Sequence, residues 1–160
     1  MLLVYSSNKL TLISRTKPNN IFLMRLSTIS NPNQIVIDKL RAALRSFNQA
    51  IAGEFEYNSI YIFAEDEFGE LIGGIYGKIA WNWLYIDLLW VHPEYRKKGL
   101  GSSLMKAMEK EAHKEKIYSY HLSTASFQAP IFYQKLGYQI CGEIKGLPPG
   151  YTTYFLKKQD

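Results

Sequence analysis

The 160-residue chain contains one cysteine, Cys141, so no intrachain disulfide can form, and a reducing cytoplasm is the compartment that suits it. No stretch approaches the roughly 18 consecutive apolar residues of a membrane-spanning helix, so no membrane association is expected. The start, Met1-Leu2-Leu3-Val4-Tyr5, lacks the basic lead and the long apolar run of a secretory signal. No spacing of His, Cys, Asp and Glu resembles a metal site, and no metal is expected. No Gly-Lys-Ser/Thr follows the glycine-rich loop described below, which excludes a P-loop nucleotide hydrolase. Repeats, linkers and low-complexity tracts are absent. Acidic residues are missing from residues 1–30, which carry Lys9, Arg15, Lys17 and Arg25 and hence four of the five net positive charges. Residues 31–160 hold 15 basic and 14 acidic groups. That near-neutral balance argues against a broad phosphate-binding face, and nucleic acid is not expected as a partner.

A hydrophobic share of 47% and a charged share of 21% describe an ordinary globular chain of one-domain length. The high aromatic share, 14% with 12 Tyr, fits core and sheet packing. Cys141 lies in an apolar, strand-like run and reads as a buried, inert thiol. Residues 1–20 read as an N-terminal extension whose order the sequence leaves open, with a short strand conceivable over residues 9–15. Residues 21–160 read as a single domain.

Residues 21–29 are apolar and β-prone and predict a strand. Asn31-Pro32 predicts an N-cap followed by a first-turn proline, and Ile37, Leu40, Leu44, Phe47 and Ile51 then mark one helical face that ends at Gly53. Residues 59–64 and 71–80 predict a hairpin around Asp66-Glu67-Phe68-Gly69. After Trp81-Asn82, residues 83–91 form an almost wholly apolar strand, expected at the centre of a sheet and covered on both faces, with Asp87 as its one interruption. Gly99 to Ser103 opens a helix with Leu104, Met105, Met108 and Ala112 on one side. A strand over residues 118–123, a helix over 127–136 with Pro130 in its first turn and Gly137 as its C-terminal stop, and strands over 138–144 and 152–158 complete the chain. The order is β-α-β-β-β-α-β-α-β-β, an α/β layered fold with a mixed sheet.

The strongest chemical signal lies at residues 91–103. A strand ends, a basic loop with two glycines follows, and a helix begins. Glycine lets backbone N–H groups converge on an anion, and the helix start adds unpaired donors and partial positive charge. Arg96, Lys97 and Lys98 add full charges. A pyrophosphate suits such a loop, although a tight turn with a solvated basic rim explains it too. The dinucleotide fingerprint is incomplete, because position 104 is not glycine.

With its neighbours the loop becomes specific. Val91-His92-Pro93-Glu94-Tyr95-Arg96-Lys97-Lys98-Gly99-Leu100-Gly101 resembles the acyl-CoA signature of the GNAT superfamily of N-acetyltransferases. Phe127-Gln128-Ala129-Pro130-Ile131-Phe132-Tyr133-Gln134-Lys135-Leu136-Gly137-Tyr138 resembles that superfamily's second signature. The resemblance spans roughly residues 24–158 and implies a mixed, mostly antiparallel central sheet with helices on both faces. It also implies acetyl-CoA as co-substrate. The backbone of Leu89, Trp90 and Val91 would pair with the pantetheine arm, and the N–H groups of Lys97, Lys98, Gly99, Leu100, Gly101 and Ser102, beside Arg96, would hold the pyrophosphate. Ala129 would pack beside the arm, and Tyr133 would serve as acid near the thioester sulfur. The family often has Asn seven residues before this Tyr, where this chain has Ser126, whose hydroxyl would replace that contact.

Such a reaction moves an acetyl group onto a primary amine by direct attack in a ternary complex. The amine must lose a proton that it holds with a pKa of about 10, so a base or a water leading to one is required. Asp87 is the candidate, since alternation would set it on one face with Leu89 and Val91, and burial would raise its pKa; a carboxylate paired with a Lys or Arg is the competing reading. A backbone N–H on the same strand could hold the oxyanion. His92 and His113 read as surface residues and His121 as packing. Tyr57, Trp81 and Tyr151 are candidates for lining the acceptor site, with the loop Leu147-Pro148-Pro149-Gly150 as a wall. The acceptor, a small-molecule or protein amine, and a homodimer are left open. A non-catalytic acyl-CoA-binding sensor and a tRNA- or other nucleic-acid-directed acetyltransferase are the alternatives.

Overall fold

The computed structural model describes residues 11–17, 20–54 and 58–160, which fall into two units, Met1–Glu54 and Phe55–Asp160. In the first, β1 (Thr11–Lys17) pairs antiparallel with β2 (Asn20–Leu26), so part of the stretch read as an extension is a strand. Helix α1 (Gln34–Ala52) is capped by Asn33, whose side-chain oxygen accepts the Val36 N–H at 3.1 Å. The expected cap, Asn31, lies just ahead with Pro32. Gly53, at φ 83°, ends the helix as predicted.

The second unit contains β3 (Asn58–Glu65), β4 (Leu71–Ala80), β5 (Trp83–Val91), α2 (Leu100–Lys114), β6 (Ser119–Ala125), α3 (Pro130–Lys135), β7 (Gln139–Lys145) and β8 (Thr152–Gln159). Its strands form one sheet in the order β3-β4-β5-β6-β8-β7, with β5–β6 its parallel pair and the other neighbours antiparallel. From β2 onward the element order is the predicted one. Asp66 Oδ1 accepts the N–H groups of Phe68 and Glu70 at 2.9 and 3.0 Å, which shapes the β3–β4 turn. Helix α3 is shorter than residues 127–136. Proline disfavours a helical residue before it and has no N–H to place beyond the first turn, so Ala129 stays non-helical (φ −139°, ψ 45°) and Pro130 starts the helix.

The predicted stripe on α2 is the buried one: Leu104, Met105, Met108 and Ala112 pack with Ile75, Ile79, Leu84, Ile86, Tyr120, Leu122, Tyr138 and Leu156. Each such aliphatic side chain stabilises the fold by about 1.5–3 kcal/mol. A polar network lies alongside. The Tyr138 hydroxyl donates to Glu109 Oε1 at 3.0 Å, and Lys158 Nζ donates to Glu109 Oε2 at 2.7 Å. The Tyr120 hydroxyl lies 2.6 Å from His113 Nε2 and donates to Asp160 Oδ2 at 3.1 Å. His113 is therefore tied down rather than simply solvent-facing. Cys141 is exposed, not buried, because β7 is an edge strand; its thiol donates to the Phe155 carbonyl at 3.4 Å. No helix among the described residues is long and apolar enough to cross a membrane.

Candidate active site

Strands β5 and β6 pair through Leu84–Tyr120, Tyr85–His121 and Ile86–Leu122 and no further, whereas β6 stays paired with β8 up to Ala125. Beyond Ile86 the two strands part. The gap is a cleft of about 980 Å³, walled by β5 from Ile86 to Val91, by the loop before α2, by the end of β6 and by α3.

A β-bulge marks where the parting begins. Opposite β4, Gly77 faces Ile86 and Tyr76 faces Leu88, so Asp87 has no partner in the register. The extra residue shifts the alternation. Leu84 and Ile86 are buried ahead of it, and Leu89 and Val91 pack against the core beyond it. Asp87 consequently does not share a face with Leu89 and Val91, as alternation alone predicted. Nor is it deeply buried: 30% of its side chain is exposed, and it accepts a 2.6 Å hydrogen bond from Lys78 Nζ. That bond raises the lysine's pKa above its ordinary value. Leu88 (63% exposed) and Trp90 (44% exposed) line the cleft, so the apolar run on β5 is not covered on both faces.

At the end of β5, the His92 N–H donates to the Ile72 carbonyl of β4 at 2.8 Å. Alternation then turns the peptide groups of Val91 and Leu89 away from β4, toward the cleft, and commits those of Trp90 to β4. Of the three backbone positions expected to serve a cofactor arm, those of Leu89 and Val91 face the cleft, and Trp90 lines it. The Val91 carbonyl is taken by Arg96 Nε at 3.0 Å, so Arg96 braces the loop as well as charging it.

The loop contains a short 3-10 turn (Pro93–Tyr95), then Lys97 at φ 60° and Gly99 at φ 90° as the N-cap of α2. The N–H groups of residues 97–102 find no hydrogen-bond acceptor among the described residues. Arg96, Lys97, Gly99, Gly101 and Ser102 line the cleft. Lys98 instead rests over the Tyr95 ring at 5.4 Å, and the Leu100 side chain packs into the core, leaving only their backbones for a ligand. His92 accepts the Glu94 N–H at 3.4 Å and contacts the Trp90 and Tyr95 rings, the loop role expected of it.

On the opposite wall, Tyr133 is 8% exposed, with its ring against Phe132 and Tyr138. Burial pushes its pKa up to about 12. Its hydroxyl has no partner among the described residues and is not sealed away, and Tyr133 lines the cleft. Ala129 lines the same wall. Ser126 does not: its hydroxyl accepts the Thr152 N–H at 3.2 Å and its N–H donates to the Thr152 carbonyl at 2.7 Å, which binds it to β8. Sequence reasoning missed Gln128 and Phe127, which do line the cleft; both lie inside the second signature, next to Ala129. Tyr151 packs edge-on to Phe127 at 4.7 Å. Trp81 sits at the β4–β5 turn, away from the cleft walls. Tyr57 lies outside the described residues. His121 packs against Tyr85 at 4.9 Å and Trp83 at 5.9 Å.

Residues 57–140 match the family model described as the acetyltransferase (GNAT) domain. The blasticidin-S acetyltransferase of Streptomyces morookaense is 39% identical over 128 residues, covering 79% of this chain and 94% of the relative. A crystal structure of an acetyltransferase from Bacillus cereus superposes with a TM-score of 0.76 at 29% identity, covering 83% of this chain and 97% of that one. The PaiA N-acetyltransferase of Thermoplasma acidophilum, solved with coenzyme A, shares the fold (TM-score 0.54, 21% identity, covering 81% of this chain and 80% of that one). The chain belongs to the GNAT acetyltransferase family and is an acetyl-CoA-dependent acyltransferase.

Proposed function

We propose that this protein acetylates the primary amine of a small, antibiotic-like molecule by direct attack within a ternary complex. One observation supports the reading: the splayed end of β5, the loop residues Arg96, Lys97, Gly99, Gly101 and Ser102, and Tyr133 line a single cleft. The small-molecule acceptor is suggested by the name of the Streptomyces relative. In the reaction a C–N bond forms to the acetyl carbon, the C–S bond breaks, and the nitrogen loses a proton while the sulfur gains one. The N–H groups of Lys97, Lys98, Gly99, Leu100, Gly101 and Ser102, with Arg96 and Lys97 beside them, hold the diphosphate. The N–H groups of Leu89 and Val91 and the Leu89 carbonyl hold the arm, and one of those N–H groups serves the oxyanion. Ala129 packs beside the arm. Tyr133, kept protonated by its burial, supplies the sulfur's proton. Asp87 draws the cationic amine into the cleft and receives its proton, directly or through water. Phe127 and Tyr151 offer an aromatic edge to the acceptor.

Thiol release from acetyl-CoA across a panel of small primary amines, blasticidin S among them, tests the reading. Release with at least one member, and an acetylated product by mass, is expected. No release with any small amine, but release with a peptide or an aminoacyl-tRNA, would overturn the small-molecule assignment.

A further inference from the structure

We propose that Gln128 is a positioning residue for the co-substrate, donating its side-chain amide N–H to a carbonyl oxygen of the acyl-CoA arm. The inference rests on the acetyl-CoA reading of the cleft and adds a contact to it. The parting of β5 from β6 leaves the end of β6 without a partner strand on that side. The Ala125 N–H lies at that open end, and Gln128 Oε1 accepts it at 2.8 Å. The same oxygen accepts the hydroxyl of buried Thr124 at 3.2 Å. A backbone N–H can only donate, so the atom facing it must be the oxygen, and the amide has one orientation. Its NH₂ group therefore carries two donors that no described residue accepts, on a side chain that lines the cleft.

The chemistry of the opening asks for such a donor. One wall offers the peptide groups of Leu89 and Val91, as a neighbouring strand would. The other wall has given its last N–H to Gln128, which hands a donor on into the cleft in its place. An arm built of amides and a thioester presents carbonyl oxygens that an amide N–H satisfies. Ser126, the residue the sequence pattern set in this role, is turned to β8 instead.

Gln128→Glu separates positioning from structure. A carboxylate still accepts from Ala125 and Thr124 but cannot donate. Two ligands are compared by calorimetry: coenzyme A, and 3′-phosphoadenosine 5′-diphosphate, which has the diphosphate and lacks the arm. The expected result is a coenzyme A Kd raised about fivefold, the size of one lost neutral hydrogen bond. The Kd of the armless nucleotide and the thermal midpoint should stay unchanged, and KM for acetyl-CoA should rise more than kcat falls. Gln128→Ala should weaken coenzyme A at least as much and also lower the midpoint. Wild-type coenzyme A affinity in either variant overturns the proposal, and so does an equal loss for both ligands. Wild-type protein that binds neither ligand overturns the acetyl-CoA reading itself, and this proposal with it.

Discussion

Tyr133 and Asp87 ask opposite things of their surroundings. In the proposed mechanism Tyr133 gives its proton to the departing thiolate, and burial among Phe132 and Tyr138 raises its pKa so that it holds the proton until then. Tyr133→Phe should lower kcat on the order of a hundredfold while leaving coenzyme A affinity within about twofold, read by steady-state kinetics and calorimetry. Equal kcat in the two proteins would remove the tyrosine from the mechanism. Asp87 instead accepts a 2.6 Å hydrogen bond from Lys78 Nζ, and an ion pair this exposed to solvent contributes little to stability. Asp87→Asn should therefore leave the thermal midpoint nearly in place and cut kcat/KM for the amine. A midpoint drop without a kinetic effect would make the pair structural only.

At the scale of elements, the site depends on where β5 changes its alternation. Gly77 sits opposite the bulge, and a Cβ there would stand 2.8 Å from Leu84 Cδ1 and 3.2 Å from the Tyr85 carbonyl. Gly77→Ala should destabilise the protein by about 1–3 kcal/mol and lower activity by moving β5, measured by urea unfolding and turnover. The loop is governed by backbone conformation rather than by crowding. Gly99 has open space around its Cβ position but a φ of 90°, which a β-branched residue resists. Gly99→Val should weaken coenzyme A binding by tilting the N–H groups of the first turn of α2; unchanged affinity would place the diphosphate elsewhere.

Across the whole molecule, the tyrosines of the core set an alkaline limit. Tyr133 ionises at about 12 in the folded chain against about 10 when unfolded, and Tyr120 and Tyr138 are raised too by burial and by neighbouring carboxylates. A raised phenol pKa means that the unfolded chain releases its proton first. The stability these groups contribute is complete below pH 10 and lost as pH climbs through the folded values. Urea midpoints should hold from pH 8 to about 10 and then fall, each tyrosine adding up to about 1.4 kcal/mol per pH unit. Tyr138→Phe should flatten that fall, and an unchanged slope would discount this group. Glu109 belongs to the same network, since it receives both Tyr138 and Lys158.

The sequence by itself determined the element order from β2 onward, the buried stripe of α2, the basic glycine loop ahead of that helix and the second signature around Ala129 and Tyr133. These are local matters, written in apolar spacing, glycine positions and short motifs. Tertiary structure decided what depends on neighbours. It shifted the alternation of β5 at a bulge visible only against β4, moved Asp87 from burial to a pair with Lys78, and set Cys141 on an exposed edge strand. It also tied Ser126 to β8, and it oriented Gln128 through an N–H that β6 keeps free only because β5 has parted from it. Pairing between strands distant in sequence leaves no periodic trace in either one, so these outcomes could be read only once the sheet was assembled.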